Sequence, residues 1–252
     1  CSSDLSNIPV SSPQYNYSWY FDGSTYISFP ANAIWQMTGD FTIECWYYHT
    51  SSSGMALFDQ YTAATTGAGN WQIFITPAIN VYYDGSSHFA NGSLSANRWY
   101  HIAVTRSGST IRTFIDGVLQ STTATFAGTV GRNDIMWLGT QHSSGPIYFF
   151  NGYISNARIV NGTALYTASF TPPNVFLSPL TSVANTKLWL KTFYDTTDSS
   201  GLATTVTTNG TVTTSSNIPP SSPQYNYSWY FDGSTRSEEH TSELQSRLHL
   251  VC

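Results

Sequence analysis

The acidic side chains of this chain are too few and too scattered for most chemistry. Cleaving a glycosidic bond takes two carboxyl groups flanking the bond. Outside residues 236–252, Glu44 is the only glutamate, and its nearest acidic neighbour in sequence is Asp40. His49, His88, His101 and His142 stand apart from any recognisable nucleophile motif, and no G-x-S-x-G, H-E-x-x-H or C-x-x-C pattern occurs. Calcium takes six to eight oxygen ligands. Asp22, Asp59, Asp84 and Asp134 are the candidates at loops or strand ends, but Asp22 and Asp84 each precede Gly, which turn formation explains. Aromatic residues are the more suggestive material, because Tyr and Trp offer a flat apolar face with a polar tip, suited to sugar rings. Tyr82, Tyr83 and Asp84 form one candidate ligand surface; Trp137 with His142 forms another.

The elements that must position these residues are strands. Charged residues make up 9% of the chain, against about 25% in a typical domain, while aromatics reach 15%. Ser, Thr, Asn and Gly carry the solubility, a composition that favours strands joined by polar turns. Phe41–Tyr48 alternates, with Phe41, Ile43, Cys45 and Tyr47 on one face and Thr42, Glu44, Trp46 and Tyr48 on the other. Cys45 in that run reads as a small buried hydrophobe. In 98–121, three β runs are separated by Ser107-Gly108 and Asp116-Gly117. The second pair is a strong hairpin signal, since both centres of a type I′ turn need positive φ. Further strands are expected at 19–22, 26–29, 55–60, 71–76, 80–83, 135–139, 152–160 and 188–190. With no helical period anywhere, the pattern predicts an all-β antiparallel sandwich or barrel. The scattered basic residues make no patch for nucleic acid, and no apolar run approaches the ~18 residues of a membrane span.

One long-range feature organises the chain. Residues 216–235 repeat residues 6–25 at 19 of 20 positions, with an offset of 210 residues. A domain-sized period signals a tandem array. Residues 236–246 (RSEEHTSELQS) turn abruptly charged and resemble a translated sequencing adapter, so 236–252 are set aside from fold reasoning. The expected organisation is the end of a preceding linker at 1–14, one domain over 15–190, a Thr/Ser-rich spacer at 191–215, and the start of a second, truncated repeat at 216–235. Both ends of the chain are expected to be truncations of a longer protein.

Four segments, in this order, resemble the laminin-G-like, concanavalin A-like jelly-roll domains: FDGSTYISF (21–29), GDFTIECWYY (39–48), RWYHIAVTR with TFIDG (98–106, 113–117) and FNGYISNARIVNGTALYTASFTPP (150–173). The last is especially similar to repeat domains in phage structural and tail-associated proteins. The resemblance implies a two-sheet antiparallel jelly-roll sandwich and carbohydrate or protein binding at its loops or concave face. It also brings the calcium question, since several such domains carry the ion; Asp22, Asp59 and Asp134 are the candidates here. The expected function is a non-enzymatic binding module in a tandem-repeat virion or extracellular protein, attaching to a glycan or a cell-surface protein beside neighbouring repeats of the same chain. Its rivals are a glycoside hydrolase of the same fold and a purely architectural spacer.

Overall fold

The computed structural model describes residues 18–51, 54–61, 69–84, 88–172, 184–190, 198, 200, 202, 204–210, 212–215 and 217. The expected linker at 1–14, the segment 236–252 and, apart from Asn217, the second repeat at 216–235 lie outside the described residues.

Eighteen strands run through them: β1 (Ser18–Asp22), β2 (Tyr26–Asn32), β3 (Phe41–His49), β4 (Met55–Asp59), β5 (Gln72–Thr76), β6 (Ala78–Tyr82), β7 (His88–Asn91), β8 (Trp99–Ser107), β9 (Thr110–Ile115), β10 (Val118–Leu119), β11 (Ala124–Thr125), β12 (Asp134–Leu138), β13 (Gln141–His142), β14 (Pro146–Ile147), β15 (Asn151–Asn161), β16 (Thr186–Leu190), β17 (Thr207–Asn209) and β18 (Thr213–Ser215). One 3-10 turn, Ala33–Trp35, interrupts them. A nine-stranded sheet has the order β10-β9-β8-β3-β15-β1-β18, with β11 also on β9 and β16 also on β15. A seven-stranded sheet has the order β17-β2-β12-β4-β5-β6-β7, and β13 pairs with β14 as a small ribbon. All these pairings are antiparallel.

The core lies where the two sheets face each other. Trp19, Phe21, Phe41, Ile43, Cys45, Tyr47, Ile102 and Val104 of the larger sheet form one buried cluster with Ile27, Phe29, Leu57, Ile73, Ile75, Met136 and Leu138 of the smaller. The β3 alternation therefore aims as expected. The hairpin signal also holds, since Asp116 (φ 50°) and Gly117 (φ 76°) connect β9 to β10. Gly117 meets a second demand, because a Cβ there would lie 2.0 Å from the Phe170 carbonyl oxygen.

The expected spacer at 191–215 is corrected in its last third. β17 pairs with β2 and β18 pairs with β1, so this Thr-rich stretch adds a strand to the edge of each sheet. Backbone hydrogen bonds carry that pairing, and Thr fits a strand well. The few large apolar groups that suggested a spacer reflect an edge position rather than the absence of structure.

Arg106 closes one end of the sandwich. It is 1% exposed, and its guanidinium donates to the carbonyls of Gly39, Met37 and Gly128 while lying over the Phe41 ring. Arg106→Met would remove hydrogen bonds to three carbonyls, each worth about 1 kcal/mol or more, and would leave those of Gly39 and Gly128 without this donor. A fall in melting temperature of roughly 6–12 °C is expected by thermal denaturation. An unchanged melting temperature would remove Arg106 from the list of structural anchors.

Candidate functional site

The outward face of the seven-stranded sheet carries a cavity of about 450 Å³, lined by Gly54, Tyr61, Gln72, Phe74, Thr76, Tyr82, Gln141 and Tyr148. The pleat of β5 builds its floor. Ile73 and Ile75 enter the core, so Gln72, Phe74 and Thr76 take the opposite face. Tyr82 of β6 sits across the ladder from Gln72 and stacks on His88, with centroids 4.7 Å apart. Tyr148, which follows the β13–β14 ribbon with φ 49°, meets the edge of Phe74 at 5.3 Å. Its carbonyl accepts from the Ala56 N–H, which ties this wall to β4. Gly54 keeps the cavity open, because a Cβ there would lie 2.9 Å from the Phe74 ring.

Gln72 is a buried member of this lining, 4% exposed. A buried amide donor needs an acceptor, and a ligand oxygen can serve as one.

Asp59, one of the calcium candidates, lies fully buried beside this face. A bulge in β4 between Ala56 and Phe58 turns it outward, opposite Gln72 and Trp137. Its carboxyl accepts from the N–H groups of Tyr61 (3.1 Å) and His142 (3.0 Å). Burial pushes its pKa up to about 8, against the pull of those hydrogen bonds and of the nearby Arg132 charge. The Gln72 amide, opposite Asp59 in the ladder, also favours the charged form.

The expected aromatic surfaces are partly rearranged. Tyr82 lines the cavity, whereas Tyr83 faces the other way and packs against Phe89 and Phe126 beside the core. Adjacent residues near the end of a strand point to opposite faces, so Tyr82, Tyr83 and Asp84 do not share one surface. Trp137 and His142 do come together, with rings 4.6 Å apart and nearly parallel. Trp137 is buried there rather than presented. His142 adjoins the cavity residue Gln141, and its N–H is held by Asp59.

The metal candidates are not gathered. Asp22 caps its own turn, accepting from Ser24 and Thr25. Asp134 pairs with Arg132 at 3.0 Å, and Asp59 is engaged as described. Among the described residues, no three His, Cys, Asp or Glu side chains form a group able to hold a metal ion.

Glu44 is also absorbed by structure. Residues 162–172 fold back across the outer face of the nine-stranded sheet, where Thr42 bonds to Thr163 and Leu165, Thr105 to Tyr166, and Phe170 to Gly117. Beneath them, Glu44 accepts from Arg158, from Tyr166 Oη at 3.0 Å and from His101 Nε2 at 3.3 Å. Burial raises its pKa, but the Arg158 charge and the His101 hydrogen bond outweigh that and bring it to about 2. A bulge in β15 between Ser155 and Arg158, with Asn156 at φ 51°, sets Arg158 opposite Glu44.

The sequence reading missed Gly54, Tyr61, Gln72, Phe74, Thr76, Gln141 and Tyr148. A signal existed for β5, where Gln72, Phe74 and Thr76 alternate with two isoleucines. Tyr148 and Gly54 lie outside strands and are brought in by the fold, with no periodic signature.

A laminin G family model described as the concanavalin A-like lectin/glucanases superfamily matches residues 21–168. That is more than half of the chain, and the chain belongs to this family. Among solved structures, a protein from Bacteroides ovatus ATCC 8483 proposed to bind carbohydrate is similar over 82% of this chain at 17% identity, with a TM-score of 0.60. The chain spans 61% of that protein's length. A SAP-like pentraxin from Limulus polyphemus is similar at 14% identity and TM-score 0.47, over 60% of this chain and 78% of its own. The CBM40 of a Ruminococcus gnavus IT-sialidase also stands at 14% and 0.47, over 61% and 95%. The family match and the likeness to the Bacteroides ovatus protein establish the concanavalin A-like jelly-roll fold. No curated protein sequence matches the chain. No helix among the described residues is long and apolar enough to cross a membrane.

Proposed function

We propose that this domain is a non-enzymatic carbohydrate-binding module, and that the cavity on the seven-stranded sheet is its glycan site. The observation that carries this is the lining itself: four aromatic rings around the Gln72 and Gln141 amides. Aromatic faces suit the apolar faces of sugar rings, and amides and phenols suit their hydroxyls. The volume lies within the usual range of small-ligand sites, about 300–1,000 Å³. Membership of a lectin and glucanase superfamily supports the same reading. The hydrolase alternative is less well supported, because the described residues of the lining include no carboxylate and Glu44 is buried in an ion pair.

The sequence repeat supports the further reading that this module is one of a tandem array, which on this proposal stands on an extracellular or virion surface and attaches by many weak sites. Linked sites gain avidity through effective concentration without any new contact. The test is a glycan array with the whole chain, followed by titration of Tyr82→Ala and Tyr148→Ala. Each variant is expected to bind about tenfold more weakly while keeping its melting temperature, since each removes one stacking face. Binding is expected to be equal in calcium and in chelator. Variants that bind as well as the wild type would put the site elsewhere, and an array without binding would favour the architectural reading.

A further inference from the structure

Resting on the glycan-site reading, we infer that the cavity selects neutral sugars and rejects sialylated, sulfated and uronate-bearing ones. Among the described residues, the lining offers three phenol groups, two amides and one hydroxyl as polar contacts, and neither a cation nor an anion. A carboxylate or sulfate entering it would give up water for donors that carry no charge. Burying a charge without an opposite charge is strongly unfavourable.

The charged groups nearby do not change this. Arg132, the cation that acts on Asp59, has its Nη2 on the Asp134 carboxylate at 3.0 Å. Asp59 is fully buried and held by two N–H donors. Where it carries charge, it opposes a second anion next to it. His88 and His142 flank the cavity, stacked on Tyr82 and Trp137 respectively. Neither is part of the lining. The Gln72 amide N–H faces no such conflict with a neutral ligand, because a sugar hydroxyl or ring oxygen can accept from it.

Two positions make the inference testable without dismantling the sheet. Gly54 has no positive-φ requirement, so Gly54→Leu can adopt its backbone and would push into the Phe74 wall. Thr76 is an exposed lining residue, and Thr76→Lys places a single cation at the rim. The experiment is titration of the whole chain at neutral pH with matched neutral and anionic oligosaccharides, for the wild type and both variants. The wild type is expected to bind the neutral member of each pair at least about tenfold more tightly, a difference of one power of ten in Kd. Gly54→Leu should abolish that binding, and Thr76→Lys should narrow or reverse the preference. Wild-type binding of anionic sugars equal to or tighter than neutral ones, lost in Gly54→Leu, would overturn the selectivity and leave the glycan site standing. Failure to bind any sugar, neutral or anionic, would overturn both.

Discussion

Arg158→Met is expected to lower the melting temperature by about 10 °C at neutral pH. Arg158 is the main positive charge on Glu44, which is 2% exposed and lies under residues 162–172. Removing one partner of a buried pair leaves an uncompensated charge and costs about 3–5 kcal/mol. In a domain near 200 residues, each kcal/mol moves the midpoint by about 2–4 °C. The double variant Glu44→Gln with Arg158→Met should recover most of the loss, since no bare charge remains. The same pair sets an acid limit. The folded carboxyl titrates near 2, below its ordinary value of 4.5. Its stabilisation is therefore complete above pH 4.5 and lost as the pH falls towards 2, in total of the order of 3 kcal/mol. Asp59 acts in another window with the opposite sign. Its folded pKa of about 8 lies above the ordinary 3.8, so its contribution declines as the pH rises from about 4 to 8. Urea unfolding across pH 2–9 reads both. An Arg158→Met protein as stable as the wild type would show that water reaches Glu44.

Much of the sandwich was legible because its signals are local. Alternation in Phe41–Tyr48 and the Asp116-Gly117 turn both act within a few residues, and both hold. What alternation cannot tell is whether the second face of a strand meets water. Glu44 sits on the face opposite the core, yet it is buried, because a segment about 120 residues later returns over it. The candidate site was half legible for the same reason. Tyr82 was found from its chemistry, and its separation from Tyr83 follows from the pleat. Tyr148 and Gly54 reach the cavity through loop geometry that leaves no pattern in sequence. Asp59 drew notice as an acidic residue at a strand end, but the bulge that buries it beside Trp137 is a property of the ladder, not of the residue.

The Thr-rich segment at 207–217 was the least legible element, and its removal is the second large expected effect. A chain ending at residue 204 should melt about 10 °C or more below one ending at 217, with a smaller soluble fraction. The reasoning starts from the ladders. β17 covers the edge of β2 from Tyr26 to Ser28, and β18 covers the edge of β1 from Ser18 to Tyr20. Each lost backbone hydrogen bond removes about 1 kcal/mol net. Val206 and Val212 also pack against the core. Beyond β18, Asn217 accepts from Trp99 Nε1 at 3.1 Å and from Ser18 Oγ at 2.5 Å, which pins the segment to the nine-stranded sheet. Without it, β1 and β2 become two open edges one tight turn apart, a template for pairing with another chain. Thr208→Pro tests the same pairing without shortening the protein, because it puts proline, which is disfavoured within a paired strand, at the centre of β17 opposite Ile27. It should lower the midpoint by several degrees and increase aggregation on heating. Equal melting of the two chain lengths, with Thr208→Pro unchanged, would mean that the sandwich closes at β16 and that 207–217 only rests on its edges.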